Sequence, residues 1–231
     1  MSPDAIMIFA AGLGTRMGAL TQTRPKPLIE VAGRPLLDHA LDLVRGAGLG
    51  RIVVNTHAHA GQMRDWLTAN APDVRISHEP ERLETGGGLR RALPLLGGET
   101  AFTLNADTVW HGPNPLPLLA AAWDPGRMDA LLCLVPRQDV VGHAGPGDFF
   151  LEADGRLRRR GEAAAADFVY PGCQILKLET LARFGPEPFS LNLVWDAMHT
   201  AERLFGAVYP GRCVDVGRPE GIALAEAELQ A

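Results

Sequence analysis

Four places in the 231-residue sequence carry side chains suited to phosphate or to a hard cation. The first is Ala10-Ala11-Gly12-Leu13-Gly14-Thr15-Arg16-Met17, directly after an apolar segment. Its glycines let the backbone turn tightly and bring N–H groups up to phosphate oxygens. The forked guanidinium of Arg16 suits the same ligand. Neither common phosphate loop fits: a dinucleotide fingerprint needs Gly where Met17 stands, and a Walker loop needs a Lys that is absent here. The second place is Lys26, held between Pro25 and Pro27. The prolines predict a stiff, extended stem for it. The chain has 20 Arg and only two Lys, Lys26 and Lys177, so this compact ammonium stands out as a point contact for phosphate. The other two places are Asp107 and Asp215, each at the end of an apolar stretch. An Asp there either caps a loop or holds a divalent cation.

Such groups need a scaffold. Residues 5–10, 51–55, 74–78, 101–105 and 130–135 read as buried strands, and 35–47, 61–70, 88–96 and 115–123 as helices. This alternation predicts a mostly parallel α/β sheet covered on both faces. Beyond residue 140 the pattern changes to a hairpin (148–152 and 156–158 around Asp154-Gly155), a strand over 169–177, a helix over 191–204, a strand over 212–216 and a closing helix over 219–229. The expectation is a three-layer α/β/α Rossmann-like sheet with a small mixed β insertion in its second half, in a single domain over residues 1–231.

Composition narrows the partners. The net charge of −5, with Arg158-Arg159-Arg160 as its one basic run, lacks the footprint of a nucleic-acid binder. No apolar run approaches the ~20 residues of a membrane span. The N-terminal segment has no basic stretch ahead of its apolar residues and does not read as a signal peptide. Cys133, Cys173 and Cys213 are odd in number and form no CxxC pair, which predicts reduced thiols and a cytoplasmic protein. His57 and His59 read as loop or core residues, and no serine has a GxSxG context.

Taken together, Phe9-Ala10-Ala11-Gly12-Leu13-Gly14-Thr15-Arg16-Met17, Pro25-Lys26-Pro27-Leu28 and Ala32-Gly33-Arg34-Pro35-Leu36 resemble the opening signature of sugar-1-phosphate nucleotidylyltransferases. Glu84-Thr85-Gly86-Gly87-Gly88, Asn105-Ala106-Asp107, Gly147-Asp148-Phe149 and Val214-Asp215-Val216-Gly217 match later blocks. The ETGGG and GDF forms are most similar to the N-acetylmuramate-1-phosphate uridylyltransferases of bacterial cell-wall recycling.

The resemblance implies a reaction between a nucleoside triphosphate and a sugar 1-phosphate, giving a nucleoside-diphosphate sugar and pyrophosphate. It implies Mg²⁺ on Asp107 and Asp215. It assigns Ala11, Gly12, Gly14 and Thr15 to the triphosphate, Arg16 to the departing phosphates, and Lys26 to a bridge between the α-phosphate and the sugar phosphate. Glu79 would read the base edge, with Thr85 and Gly86 beside the base. Glu84, Asn105, Gly147, Asp148, Gly172 and Gln174 are the sugar-binding candidates. Three departures stand out. Ala106 replaces a glycine, Glu79 stands where relatives often have Gln, and no Glu-Lys-Pro segment supplies a second lysine. The Arg residues of 156–160 read as a solvated hairpin face, one of which could substitute. Mannose-, heptose- or glucose-phosphate transferases using GTP or dTTP, a phosphocholine cytidylyltransferase-like enzyme, and a non-catalytic sugar-nucleotide sensor fit parts of the same pattern. A monomer is expected, with no nucleic-acid or membrane partner.

Overall fold

The structure is a computed structural model that describes residues 3–231; Met1 and Ser2, part of the N-terminal segment read above, lie outside the described residues. The hub is β1 (Ala5–Phe9), whose residues point alternately to opposite faces. Ile6 and Ile8 join one apolar core, while Ala5 and Met7 join another.

After β1 come a short hairpin of β2 (Glu30–Val31) and β3 (Arg34–Pro35), then α1 (Leu36–Gly46), β4 (Arg51–Thr56), α2 (Ala60–Asn70), β5 (Arg75–His78), α3 (Glu84–Leu96) and β6 (Thr100–Asn105). Next are β7 (Thr108–His111), α4 (Pro115–Ala122), β8 (Ala130–Pro136) and β9 (Val140–Val141). The hairpin β10 (Phe149–Leu151) and β11 (Leu157–Arg159) leads to β12 (Phe168–Val169) and β13 (Cys173–Lys177). The chain ends with α5 (Leu191–Thr200), β14 (Leu204–Val208), β15 (Arg212–Asp215) and α6 (Glu220–Gln230).

The main sheet runs β5-β4-β1-β6-β13-β8, with β14 also on β8 and the β10–β11 hairpin joined through β12. β5, β4, β1 and β6 are parallel; β13 runs antiparallel to β6 and β8. α1, α2 and α4 cover one face and α3 and α5 the other. This is the expected three-layer architecture.

Four differences have physical causes. First, α3 begins at Glu84 and not at Gly88, so Gly86 and Gly87 also lie inside the helix. The N–H groups of Gly86 and Gly87 both donate to the Phe189 carbonyl, at 2.9 and 3.1 Å, which closes the first turn. A Cβ on Gly86 would clash with the Cδ2–Cε2 edge of the Phe189 ring. Gly86→Ala is therefore expected to destabilise the fold by about 1–3 kcal/mol through overpacking, read as a lower urea midpoint at unchanged slope. Second, the strand over 169–177 is split. Val169 faces Val135 but Gln174 faces Leu132, so two extra residues bulge out around Pro171, which has no N–H to pair. Third, the helix over 191–204 stops at Thr200 and turns through Glu202 at φ 57° into β14. Leu204 and Phe205 are apolar because they line a strand. Fourth, Lys26 opens a short 3₁₀ turn, closed by Leu28 N–H on the Pro25 carbonyl at 3.0 Å, instead of lying in an extended stem.

Candidate active site

The parallel strands end at one edge of the sheet, where open α/β sheets hold ligands. Phe9, Asn55 and Asn105 stand there, at or next to the carboxyl ends of β1, β4 and β6. The Ala10 N–H donates to Asn55 Oδ1 at 2.7 Å, which fixes the start of the glycine loop. Asn55 Nδ2 in turn donates to Glu79 Oε1 at 2.7 Å, and the Leu83 N–H donates to Glu79 Oε2 at 3.3 Å. Glu79 is thus a buried anchor that also borders the cleft. His57 Nδ1 donates to the Glu79 carbonyl (2.9 Å) and His59 Nε2 to the Thr21 carbonyl (3.2 Å), so both histidines brace loops.

Two chambers lie side by side. The first encloses about 220 Å³ and is bordered by Ala11, Gly12, Lys26, Glu79 and Asp107. The second encloses about 340 Å³ and is bordered by Asp148, Arg159, Tyr170, Ser190, Asn192 and Trp195. Phe9, Glu84, Thr85 and Asn105 border both. Glu84 holds φ 62°, unusual for a residue with a side chain, and pairs with Arg82 at 2.7 Å. Thr85 Oγ1 accepts from the Leu191 N–H at 3.0 Å and so ties α3 to the start of α5.

Lys26 is buried, and its Nζ lies 2.5 Å from Asp107 Oδ2. Asp215 ends β15, paired in register with Thr108 of β7, while the Val216 N–H donates to the Asp107 carbonyl at 2.9 Å. The two acids therefore occupy neighbouring positions across an antiparallel pair. Asp215 is exposed to solvent and borders neither chamber. Even so, the protein around it partly desolvates its carboxylate, and this, then the Asp107 charge, raises its pKa above the ordinary Asp value. Lys26, Arg16 and His143 pull it back down. Arg16 is exposed at the rim, and its Nη2 and the Asp215 carboxylate both lie against Gly217.

These donors fit a divalent cation. Two hard carboxylates stand close enough to repel each other, and among the described residues no group of three or more His, Cys, Asp or Glu forms a protein-only cage. A cation held by two carboxylates and completed by phosphate oxygens matches that set. Ala106 brings no strain to the β6–β7 turn that carries Asp107, since its φ is not positive.

Not every candidate reaches the cleft. Gly14 and Thr15 form the loop behind its rim, with Gly14 at φ 63°. Gly86 has its N–H committed to Phe189 and borders neither chamber. Gly147 forms a turn pressed on the Ala166 carbonyl, and Gly172 makes room for Asn105. Gln174 is fully buried: it donates to Thr103 Oγ1 (3.1 Å) and accepts from Trp195 Nε1 (2.9 Å). These last two support the chamber without lining it. Sequence reading missed Asn55, Tyr170, Asn192 and Trp195, and it placed Arg159 on a solvated hairpin face, whereas Arg159 borders the second chamber. For Arg159 a signal existed: it shares a strand face with Leu157 at period two, and Leu157 is a core residue.

Residues 6–171 match the MobA-like NTP transferase domain family. The chain belongs to that family. The N-acetylmuramate alpha-1-phosphate uridylyltransferase of Caulobacter vibrioides is 41% identical to this MobA-like chain, over 99% of this chain and 98% of that one. The enzyme of the same name from Neisseria meningitidis is 41% identical over 66% of each. The crystal structure of HddC from Yersinia pseudotuberculosis complexed with GMP-PN is similar in fold, with TM-score 0.80 at 22% identity, over 99% of this chain and 100% of that one. This MobA-like chain is an enzyme of nucleotidyl transfer. Among its described residues, no helix is long and apolar enough to cross a membrane.

Proposed function

We propose that the chain transfers a uridylyl group from UTP to N-acetylmuramate 1-phosphate, releasing pyrophosphate and UDP-N-acetylmuramate, with Mg²⁺ and in the cytoplasm. The observation that carries the transfer chemistry is the Lys26–Asp107 pair in the first chamber, with Asp215 at the neighbouring strand position. The choice of substrates is supported by the 41% identity to a relative of that name along nearly the whole of both chains. Three buried, free thiols suit a reducing compartment.

One sugar-phosphate oxygen forms a bond to the α-phosphorus, and the bond from that phosphorus to the oxygen bridging to the β-phosphate breaks. The attacking oxygen is already anionic, so alignment and charge neutralisation dominate. Mg²⁺, when bound at Asp107 and Asp215, supplies charge neutralisation and phosphate alignment. Lys26 holds the two reacting phosphates together by its ammonium. Arg16 neutralises the leaving pyrophosphate from the rim. Ala11 and Gly12 offer backbone to the triphosphate, and Glu79 and Thr85 flank the base. Glu84, Asn105 and Asp148 meet sugar hydroxyls in the second chamber.

Pyrophosphate release across a matrix of UTP, GTP, CTP, dTTP and ATP with N-acetylmuramate, N-acetylglucosamine, mannose and glucose 1-phosphates tests this. The expected maximum is UTP with N-acetylmuramate 1-phosphate. A larger kcat/KM for any other pair would replace the proposed substrates, and no release with any pair would favour a sensor.

A further inference from the structure

One cation in the second chamber has no task in that mechanism. Arg159 leaves β11 on the face of Leu157 and rests over the rings of Phe149 and Trp195, 5.2 and 5.5 Å from their centres. Its Nε and Nη2 donate to Asp196 Oδ1 at 3.1 and 2.7 Å. Nη2 also donates to the Asn192 carbonyl at 3.0 Å, and Nη1 to Asn192 Oδ1 at 2.8 Å. A guanidinium has five N–H groups, so one on Nη1 remains. The side chain is 30% exposed. Ser190 borders the same chamber, and its Oγ accepts from Asn192 N–H (3.2 Å) and Nδ2 (3.1 Å), leaving its own O–H to donate.

Arg159 is the one cationic residue bordering this chamber among the described residues. The two acids there already have partners: Glu84 pairs with Arg82, and Asp148 Oδ2 accepts from the Tyr170 N–H at 2.9 Å. Lys26 and Asp107 border the first chamber and not the second. The reacting phosphate therefore belongs at one end of the cleft and Arg159 at the other. That separation argues against Arg159 as a substitute for a phosphate-binding lysine.

We infer that Arg159, with Ser190, recognises a second anionic group on the sugar, a carboxylate carried away from the C1 phosphate. The inference rests on the proposed substrate: N-acetylmuramate carries a lactyl carboxylate on C3, which N-acetylglucosamine lacks. The carboxylate accepts from the remaining Nη1–H and from the Ser190 O–H, a charge-assisted contact in a partly enclosed site. Asp196 and Asn192 hold the guanidinium, so little side-chain order is lost on binding. Arg159 touches the sugar far from the reacting atoms, and its effect falls on KM.

The test compares N-acetylmuramate 1-phosphate with its lactyl amide, similar in shape but neutral, and with N-acetylglucosamine 1-phosphate. Each is assayed with UTP and excess Mg²⁺ in the wild type, Arg159→Gln and Arg159→Lys. The wild type is expected to favour the acid over the amide by about tenfold to hundredfold in kcat/KM, the range of a hydrogen bond to a charged group. Arg159→Gln removes most of that ratio through KM, and Arg159→Lys keeps part of it. A general packing defect lowers all three substrates alike and leaves the acid-to-amide ratio intact; an intact ratio in Arg159→Gln overturns the role of Arg159. A wild type indifferent to acid and amide overturns carboxylate recognition itself. A wild type that uses no sugar phosphate with UTP removes the proposed function beneath it, a result distinct from both.

Discussion

Lys26→Ala is expected to lower kcat by about 10²- to 10³-fold, the loss seen when one preorganised electrostatic stabiliser is removed. The cause is positional. Two prolines flank the residue in its short turn, and its Cβ lies 3.0 Å from where a side chain on Gly14 would begin. The stem is therefore closely placed, and its ammonium reaches the Asp107 carboxylate. Truncation leaves that carboxylate without its nearest cation. Its side chain is 29% exposed, so water takes over the contact and the fold survives. Lys26→Arg is not expected to restore turnover, because a planar fork does not replace a compact point charge in a crowded site. Pyrophosphate release at saturating substrates, with a thermal melt alongside, checks this. A Lys26→Ala protein retaining a third or more of wild-type kcat would remove Lys26 from the mechanism.

Asp215→Asn is expected to lower turnover by about 10³-fold, corresponding to the several kcal/mol of charge stabilisation a bound cation supplies. It should also abolish the rise in melting temperature that Mg²⁺ gives the wild type through preferential binding to the folded state. The metal-free variant should be at least as stable as the wild type at neutral pH. Partial burial and the Asp107 charge raise the folded-state pKa of Asp215 above its unfolded value. The proton is thus held more tightly in the folded state. The associated stability is complete below about pH 3.9, the unfolded value, and is lost as pH rises through the folded-state pKa. The metal-free wild type carries this small loss at neutral pH and the Asn variant does not. Melts across pH in chelator and in excess Mg²⁺ separate the two effects. A variant that melts lower without metal would show that Asp215 holds the β7–β15 pair together instead.

The layered sheet was legible because its strands are continuous apolar runs and its helices carry a clear 3.6-residue face, as in Leu37, Ala40, Leu41 and Val44 of α1. The lining of the first chamber was legible because local backbone chemistry marks it, through Gly12 and Pro25-Lys26-Pro27. The second chamber was not. Arg159 and Trp195 meet from segments 36 residues apart only after β10 and β11 fold over α5. Gln174 has the residue type of a ligand contact, yet Trp195 needs its amide oxygen inside the core. Gly86 and Gly87 read as lying ahead of a helix that starts at Gly88, whereas Phe189 and Glu79 need the room that Gly86 and Gly88 leave inside one longer helix. In each case a distant partner decides the residue's role, and short-range spacing carries no trace of it.

Phe9, Glu84, Thr85 and Asn105 border both chambers, and Thr85 also holds the first residue of α5. A partition shared in this way makes each ligand part of the other's container. On the proposed function, the nucleotide shapes the room left for the sugar, and the sugar shapes the seat of the nucleotide. The affinity of either substrate is thus a conditional quantity, defined only at a stated occupancy of its neighbour.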